Sequence, residues 1–246
     1  MAQPPALLLL HYFGGSARSW DALAARLGPA RRCVAPDMRG FGANHTSGPR
    51  TVAGYADDAA ALAADLGPFL LVGHSMGGKV AVALAARRPP GLAGVVLVAP
   101  SPPCPEPMTD DARAFLRASF GSQEGAAQTA RAISARAADG PAFDPAVFER
   151  IVADHMRAGR PAWDAWLDTG SREDITILAG QVSVPALVVA GADDAALGPE
   201  VQRRLTLPRL PDARMETVPS SRHLVPLDQP DALARMIEAF PAAPAS

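Results

Sequence analysis

Short, unbroken apolar runs recur along the chain, each closed by Gly, Pro, Asp or His, and longer stretches with helical spacing lie between them. The runs at 6–10, 33–36, 69–73, 95–99, 186–190 and 214–218 predict strands buried on both faces, since a strand with one wet face would alternate apolar and polar residues. Helical spacing at 19–27, 52–66, 76–87, 199–205 and 230–240 fills the gaps. Strand then helix, repeated, predicts an α/β fold with a mostly parallel sheet of about six strands flanked by helices. The last helix is expected to take Asp228 or Gln229 as its N-cap, with Pro230 near the first turn, where a missing N–H is tolerated.

Between 102 and 181 this rhythm stops. No convincing strand occurs there, but helical spacing returns at 111–120, 126–138, 145–158 and 162–168. The stretch also holds Phe115, Phe120, Phe143, Phe148, Trp163 and Trp166. Residues 1–101 and 182–246 therefore read as a core domain, and 102–181 as a helical cap inserted over the sheet. Repeats and low-complexity segments are lacking, and the tail 241–246 is expected to fray.

Composition narrows the function classes. A formal net charge of −2 over 246 residues supplies no basic field for a phosphate backbone, so nucleic acid is an unexpected partner. The five histidines are scattered, with no His/Cys/carboxylate cluster at metal-ligand spacing. Cys33 and Cys104 are the only cysteines and read as reduced structural thiols. The run 6–10 is too short for a signal-peptide core and lacks a preceding Lys or Arg, and no apolar run reaches membrane-span length. A cytoplasmic location is the expectation. The 25 prolines are about twice the usual share, yet they fall between periodic segments and read as loop chemistry.

The strongest local signal is Gly73-His74-Ser75-Met76-Gly77-Gly78, set between a buried strand and a helical pattern. A serine there must sit on a sharp turn, with small residues two before and two after it to avoid collision. Its hydroxyl is lifted above the sheet edge, near a helix N-terminus that favours negative charge. By itself Gly-x-Ser-x-Gly occurs in many loops; the strand before and helix after make it specific.

This segment resembles the nucleophile elbow of the α/β-hydrolase family. In order along the chain, His11-Tyr12-Phe13-Gly14-Gly15-Ser16 is similar to the family's oxyanion loop. Asp37-Met38-Arg39-Gly40-Phe41-Gly42 resembles its Asp-x-Arg-Gly-x-Gly loop, and the segment from His223 to Pro230 resembles its catalytic-histidine segment. The resemblance implies Ser75 as nucleophile and an order of serine, acid, histidine. Only His223 follows the last strand; His11 and His45 lie in early loops, His155 in the insertion, and His74 beside the serine. The strand at 186–190 ends in two candidate acids, Asp193 and Asp194, and the family's Gly-x-x-Asp pattern selects Asp194. By resemblance the oxyanion donors are the backbone N–H groups of Phe13 and Met76. Asp37, Arg39 and Gly42 are expected to hold loops together.

Two departures from the family pattern stand out. Tyr12 occupies a position where many relatives have glycine, so its ring is expected in the core or on the pocket wall. Only five residues precede the first strand, so the family's N-terminal β-hairpin is expected to be absent. Tyr12, His74, Trp163 and Trp166 are the candidate substrate-binding residues. With serine at the elbow, the resemblance implies hydrolysis of a small to medium, largely apolar carboxylic ester through an acyl-enzyme, with no cofactor. A carbon–carbon hydrolase, lyase or perhydrolase on the same triad stays open, as does a receptor-like protein with little turnover.

Overall fold

Six strands build one sheet, in the order β2-β1-β3-β4-β5-β6, and every neighbouring pair is parallel. They are β1 (Ala6–Leu10), β2 (Cys33–Val34), β3 (Phe69–His74), β4 (Leu92–Val98), β5 (Ala186–Gly191) and β6 (Ala213–Val218). The computed structural model describes residues 4–134 and 144–241. The end of the predicted helix 126–138, from residue 135 on, lies outside those residues, as do Phe143 and the tail beyond 241.

Period-two alternation splits the four central strands between two cores. Leu8, Leu10, Leu71, Leu97 and Val188 face one side; Leu7, Leu9, Val72, Val96 and Val189 face the other. All ten are essentially sealed from water, and each such side chain contributes about 1.5–3 kcal/mol. α1 (Asp21–Leu27) and α11 (Pro230–Glu238) supply Leu23, Leu233 and Ile237 to the second core. α2 (Val52–Ala63) and α3 (Met76–Ala85) cover the first, and α3 is buried along its whole length.

Several boundaries differ from expectation for visible reasons. β2 stops at Val34 instead of 36; it is a half-buried edge strand, and Pro36 offers no N–H to extend it. β4 starts three residues earlier than the run at 95–99, because Gly94 is a strand residue rather than a breaker. A Cβ there would lie 2.5 Å from the Phe240 ring, and the register with β3 shifts at this point. β6, on the other edge, is half exposed rather than buried on both faces. The first helix is split: a 3-10 turn at Ala17–Trp20, capped by Ser16, leads into α1.

Between β4 and β5 the described residues contain helices and no strand. They are α4 (Asp110–Ser119), α5 (Gln123–Ser134), α6 (Pro145–Met156), α7 (Arg160–Asp168) and the short α8 (Thr176–Ala179). Thr109 and Asp144 cap α4 and α6 by accepting from Ala112 N and Ala146 N. Past β5 come α9 (Pro199–Leu205) and α10 (Val225–Asp228). Asp228 ends α10 and Gln229 precedes α11, without a side-chain cap. β1 and β3 are adjacent while the chain leaves them toward opposite edges, so a crevice opens beyond their C-terminal ends.

Candidate active site

β3 ends at His74 and α3 begins at Met76, leaving Ser75 alone to reverse the chain. It does so at φ 53° and ψ −116°, a conformation that costs a non-glycine residue on the order of 1–3 kcal/mol. Missing side chains make the turn possible. A Cβ on Gly73 would fall 2.3 Å from Gly77 O, and one on Gly77 would fall 2.3 Å from Leu10 O. Ser75 N donates to Val98 O (3.0 Å), and Ser75 O accepts from Gly78 N (2.8 Å) and Ser101 N (3.0 Å). The residue is held from both sides, with its hydroxyl on the cavity beyond the sheet edge.

His223 and Asp194 meet on the same cavity. His223 Nδ1 lies 2.8 Å from Asp194 Oδ2, while Asp194 Oδ1 accepts from Ala196 N (2.9 Å) and Leu197 N (3.0 Å). Burial works against the Asp194 charge, but His223 and the two N–H groups outweigh it and hold the carboxyl below its ordinary range. For His223 burial again opposes charge; Asp194, then Glu106 and Asp228, outweigh it and raise the imidazole above its usual value. Asp193 also borders the cavity, but its side chain accepts no hydrogen bond among the described residues. The His223 loop is fixed by Asp228, whose two oxygens accept from Arg222 N (2.8 Å) and Arg222 Nη2 (2.7 Å). It runs so close to β5 that a Cβ on Gly191 would lie 2.2 Å from Arg222 O.

Across the cavity, the loop after β1 is held from below. His11 Nδ1 bonds Tyr12 O (2.8 Å) and its Nε2 accepts from Met38 N (3.0 Å). Asp37 accepts from Ala17 N (2.7 Å) and Ala43 N (2.6 Å), and Arg39 pairs with Asp58. Gly14 takes the left-handed turn at φ 80°, and Tyr12 does not. The Tyr12 ring is 3% exposed; it packs under Gly15 and against Leu224, Ile151 and Ala126 while its edge reaches the cavity. No hydrogen bond among the described residues uses the N–H of Phe13 or Met76, or the Ser75 hydroxyl.

The cavity holds about 380 Å³ and is mostly apolar, with Met108, Phe115, Leu116, Ile133 and Trp166 on its wall. Trp163, expected beside Trp166, lies one layer back: it stacks 4.3 Å from Phe13 and donates to Leu116 O (2.9 Å). His74 is directed away from the cavity, its Nε2 2.8 Å from His223 O, and burial pushes its pKa down to about 3. Among the cavity residues that the sequence reading did not single out are Glu106 and His155. Glu106 has its carboxyl pushed up by burial, and His155 lies against Gly14. Neither sits in a recognisable motif, and only the packing of the 102–181 helices brings them here.

Among the described residues no cluster of three or more His, Cys, Asp or Glu could hold a metal, and no helix is long and apolar enough to cross a membrane. Cys33 and Cys104 are both unpaired.

Residues 7–236 match the sequence profile of the alpha/beta hydrolase family. Sequence relatives include the sn-1-specific diacylglycerol lipase ABHD11 of Mus musculus, 27% identical over 96% of this chain and 80% of that protein. The pimeloyl-[acyl-carrier protein] methyl ester esterase of Neisseria meningitidis serogroup B is 28% identical over 94% of this chain and 91% of its own. Among solved structures, a thermophilic esterase from Thermogutta terrifontis superposes with a TM-score of 0.76 at 28% identity, covering 97% of this chain and 89% of that one. An esterase from Exiguobacterium antarcticum shares the fold with a TM-score of 0.83 at 16% identity, over 97% and 92% of the two chains.

Proposed function

The chain belongs to the alpha/beta hydrolase family, and from that premise we propose that it is a carboxylesterase that cleaves small to medium, largely apolar esters through an acyl-enzyme on Ser75. The observation that carries this reading is the meeting of three groups on one cavity: the strained Ser75, and His223 bonded through Nδ1 to buried Asp194. That bond places the Nδ1 proton toward the carboxylate and leaves Nε2 free to take the serine proton. The serine–histidine hydrogen bond forms as substrate enters; such bonds are often long in the empty enzyme.

Ser75 Oγ attacks the ester carbonyl while His223 Nε2 accepts its proton, and Asp194 stabilises the imidazolium. The oxygen that gains negative charge is received by the N–H groups of Phe13 and Met76, which have no other acceptor among the described residues. Collapse of the tetrahedral intermediate expels the alcohol, which takes the proton back from His223. Water, deprotonated by His223, then attacks the acyl-enzyme, and the acid leaves with Ser75 restored.

Cavity size and wall support the substrate class. At about 380 Å³ it lies near the small end of the ~300–1,000 Å³ common for ligand sites. About half of its wall comes from the described residues of the segment after β4, from Glu106 to Trp166, which supports reading the insertion 102–181 as a cap that shapes the acyl pocket. A panel of p-nitrophenyl esters of graded acyl length tests the reading. Saponification of short and medium acyl esters, abolished by Ser75→Ala, is the expected result; a panel left uncleaved would overturn it.

A further inference from the structure

His74 is a buried titratable group that the acyl-enzyme chemistry leaves unused. It ends β3, where its main chain pairs in register with Val98 of β4, and Ser75 follows it directly. Only 1% of the residue is exposed, and it does not border the cavity. Its ring packs against Trp20 and Tyr12, with centroids 6.2 Å and 5.3 Å away, and lies 5.3 Å from the His223 ring.

The two ring nitrogens differ in use. Nε2 is 2.8 Å from the His223 carbonyl oxygen, and a carbonyl only accepts, so the proton sits on Nε2. Nδ1 is sealed in with no partner. Burial first, then the charge of a protonated His223, push the pKa down to about 3, so the ring is neutral wherever His223 works. A charged ring at this separation would repel the imidazolium that His223 becomes during attack. A phenylalanine would fill the same space without an unpartnered nitrogen; what distinguishes histidine here is the Nε2–H.

His223 needs such a hold. It lies in the connection between β6 and α10, residues 219–224. Asp228 braces the neighbouring Arg222, and Ser221 O accepts from Asp193 N (2.8 Å). The main chain of His223 itself has a single hydrogen bond among the described residues, the one from His74. Its ring is held separately, with Nδ1 2.8 Å from Asp194 Oδ2. We propose that His74 is a positioning residue: by donating Nε2–H to the His223 carbonyl, it ties the base to the residue beside the nucleophile and sets where His223 Nε2 stands relative to Ser75 Oγ. This rests on the reading of Ser75 and His223 as nucleophile and base.

Wild type, His74→Phe and His74→Gln are compared in two reactions, hydrolysis of p-nitrophenyl butyrate and phosphonylation of Ser75 by a fluorophosphonate, with melting temperature recorded for each. A misplacement of about 1 Å can cost on the order of 10² in rate. His74→Phe should therefore lose about 10- to 100-fold in kcat with KM little changed, and a similar factor in labelling rate. His74→Gln, whose side-chain N–H can reach the same carbonyl, should recover most of both, even where it melts no higher than His74→Phe. A His74→Phe protein as active as wild type, a loss confined to KM, or a His74→Gln protein no better than His74→Phe overturns the proposal. Wild type alone supplies a test that needs no variant. Long-range ¹H–¹⁵N spectra should show His74 neutral and protonated on Nε2 throughout the pH range of activity; a proton on Nδ1 would overturn the proposal even if ester hydrolysis stands. Wild type that is phosphonylated on Ser75 but cleaves no ester would overturn the ester reading alone. Wild type that is not phosphonylated would overturn the assignment of Ser75 and His223, and the role of His74 with it.

Discussion

Replacing Asp194 by asparagine keeps the shape of the side chain and reverses one hydrogen bond. The asparagine oxygen would stay on Ala196 N and Leu197 N, which now bind Asp194 Oδ1 at 2.9 and 3.0 Å. Its NH₂ group would then face His223 Nδ1 in place of Oδ2, 2.8 Å away in the native protein. Two donors cannot share that position, so the imidazole moves its proton to Nε2, the nitrogen that must accept from Ser75. In the best-studied triad this change costs about 10⁴ in kcat, equivalent to about 5.4 kcal/mol of transition-state stabilisation. Asp193→Asn is the internal control: its side chain accepts no hydrogen bond among the described residues, so a change within about 0.5 kcal/mol is expected. Steady-state kinetics on both variants, with circular dichroism to verify folding, decide the matter. A live Asp194→Asn beside a dead Asp193→Asn would refute the assignment, and two live variants would place the acid elsewhere.

The log of kcat/KM should rise with pH through a single ionisation as His223 loses its proton, with the midpoint above the ordinary value of about 6.5 because Asp194 favours the charged ring; a His223→Ala enzyme with the same profile would exclude it as the base. Stability should depend on pH in a matching way. The raised His223 stabilises the fold below about 6.5 and loses that contribution as pH rises through its folded value; the lowered Asp194 stabilises above about 3.9 and loses it as pH falls. Melting temperature measured against pH should therefore gain most from this pair between those values, and Asp194→Asn should flatten the gain. Both tryptophans are buried, so either alanine variant should cost about 3–5 kcal/mol of stability, but only Trp166→Ala, which opens the cavity wall, should shift acyl-chain preference toward longer chains; a shift in the ester panel from Trp163→Ala and none from Trp166→Ala would contradict the cavity description.

Much of this arrangement is legible in the chain because close packing leaves an imprint on residue type. Gly73 and Gly77 must lack side chains for the Ser75 turn to close, so the spacing itself reports the geometry. The leucine run of β1 announces burial on both faces. Gly94 misleads for the same reason: it reads as a breaker, yet its missing side chain admits the Phe240 ring into the middle of β4. Asp228 misleads differently, since it precedes a helix like a cap but pairs with Arg222 and braces the His223 loop. Trp163 and Trp166 are three apart on one helix, yet one stacks on Phe13 and only the other reaches the cavity. Glu106 and His155 leave no local imprint at all. Their place depends on how the helices after β4 settle on the sheet, a set of contacts between residues far apart in sequence.

The central claim is that Ser75 is the nucleophile, and covalent capture tests it most directly. The protein is treated with a fluorophosphonate, and the adduct is located by intact-mass and peptide mass spectrometry, with Ser75→Ala alongside. The account predicts a single adduct on Ser75, turnover lost in proportion to labelling, no adduct in the variant, and a loss on the order of 10⁶ in kcat from the substitution. An adduct on another residue, or a Ser75→Ala protein that still hydrolyses esters at the native rate, would contradict it.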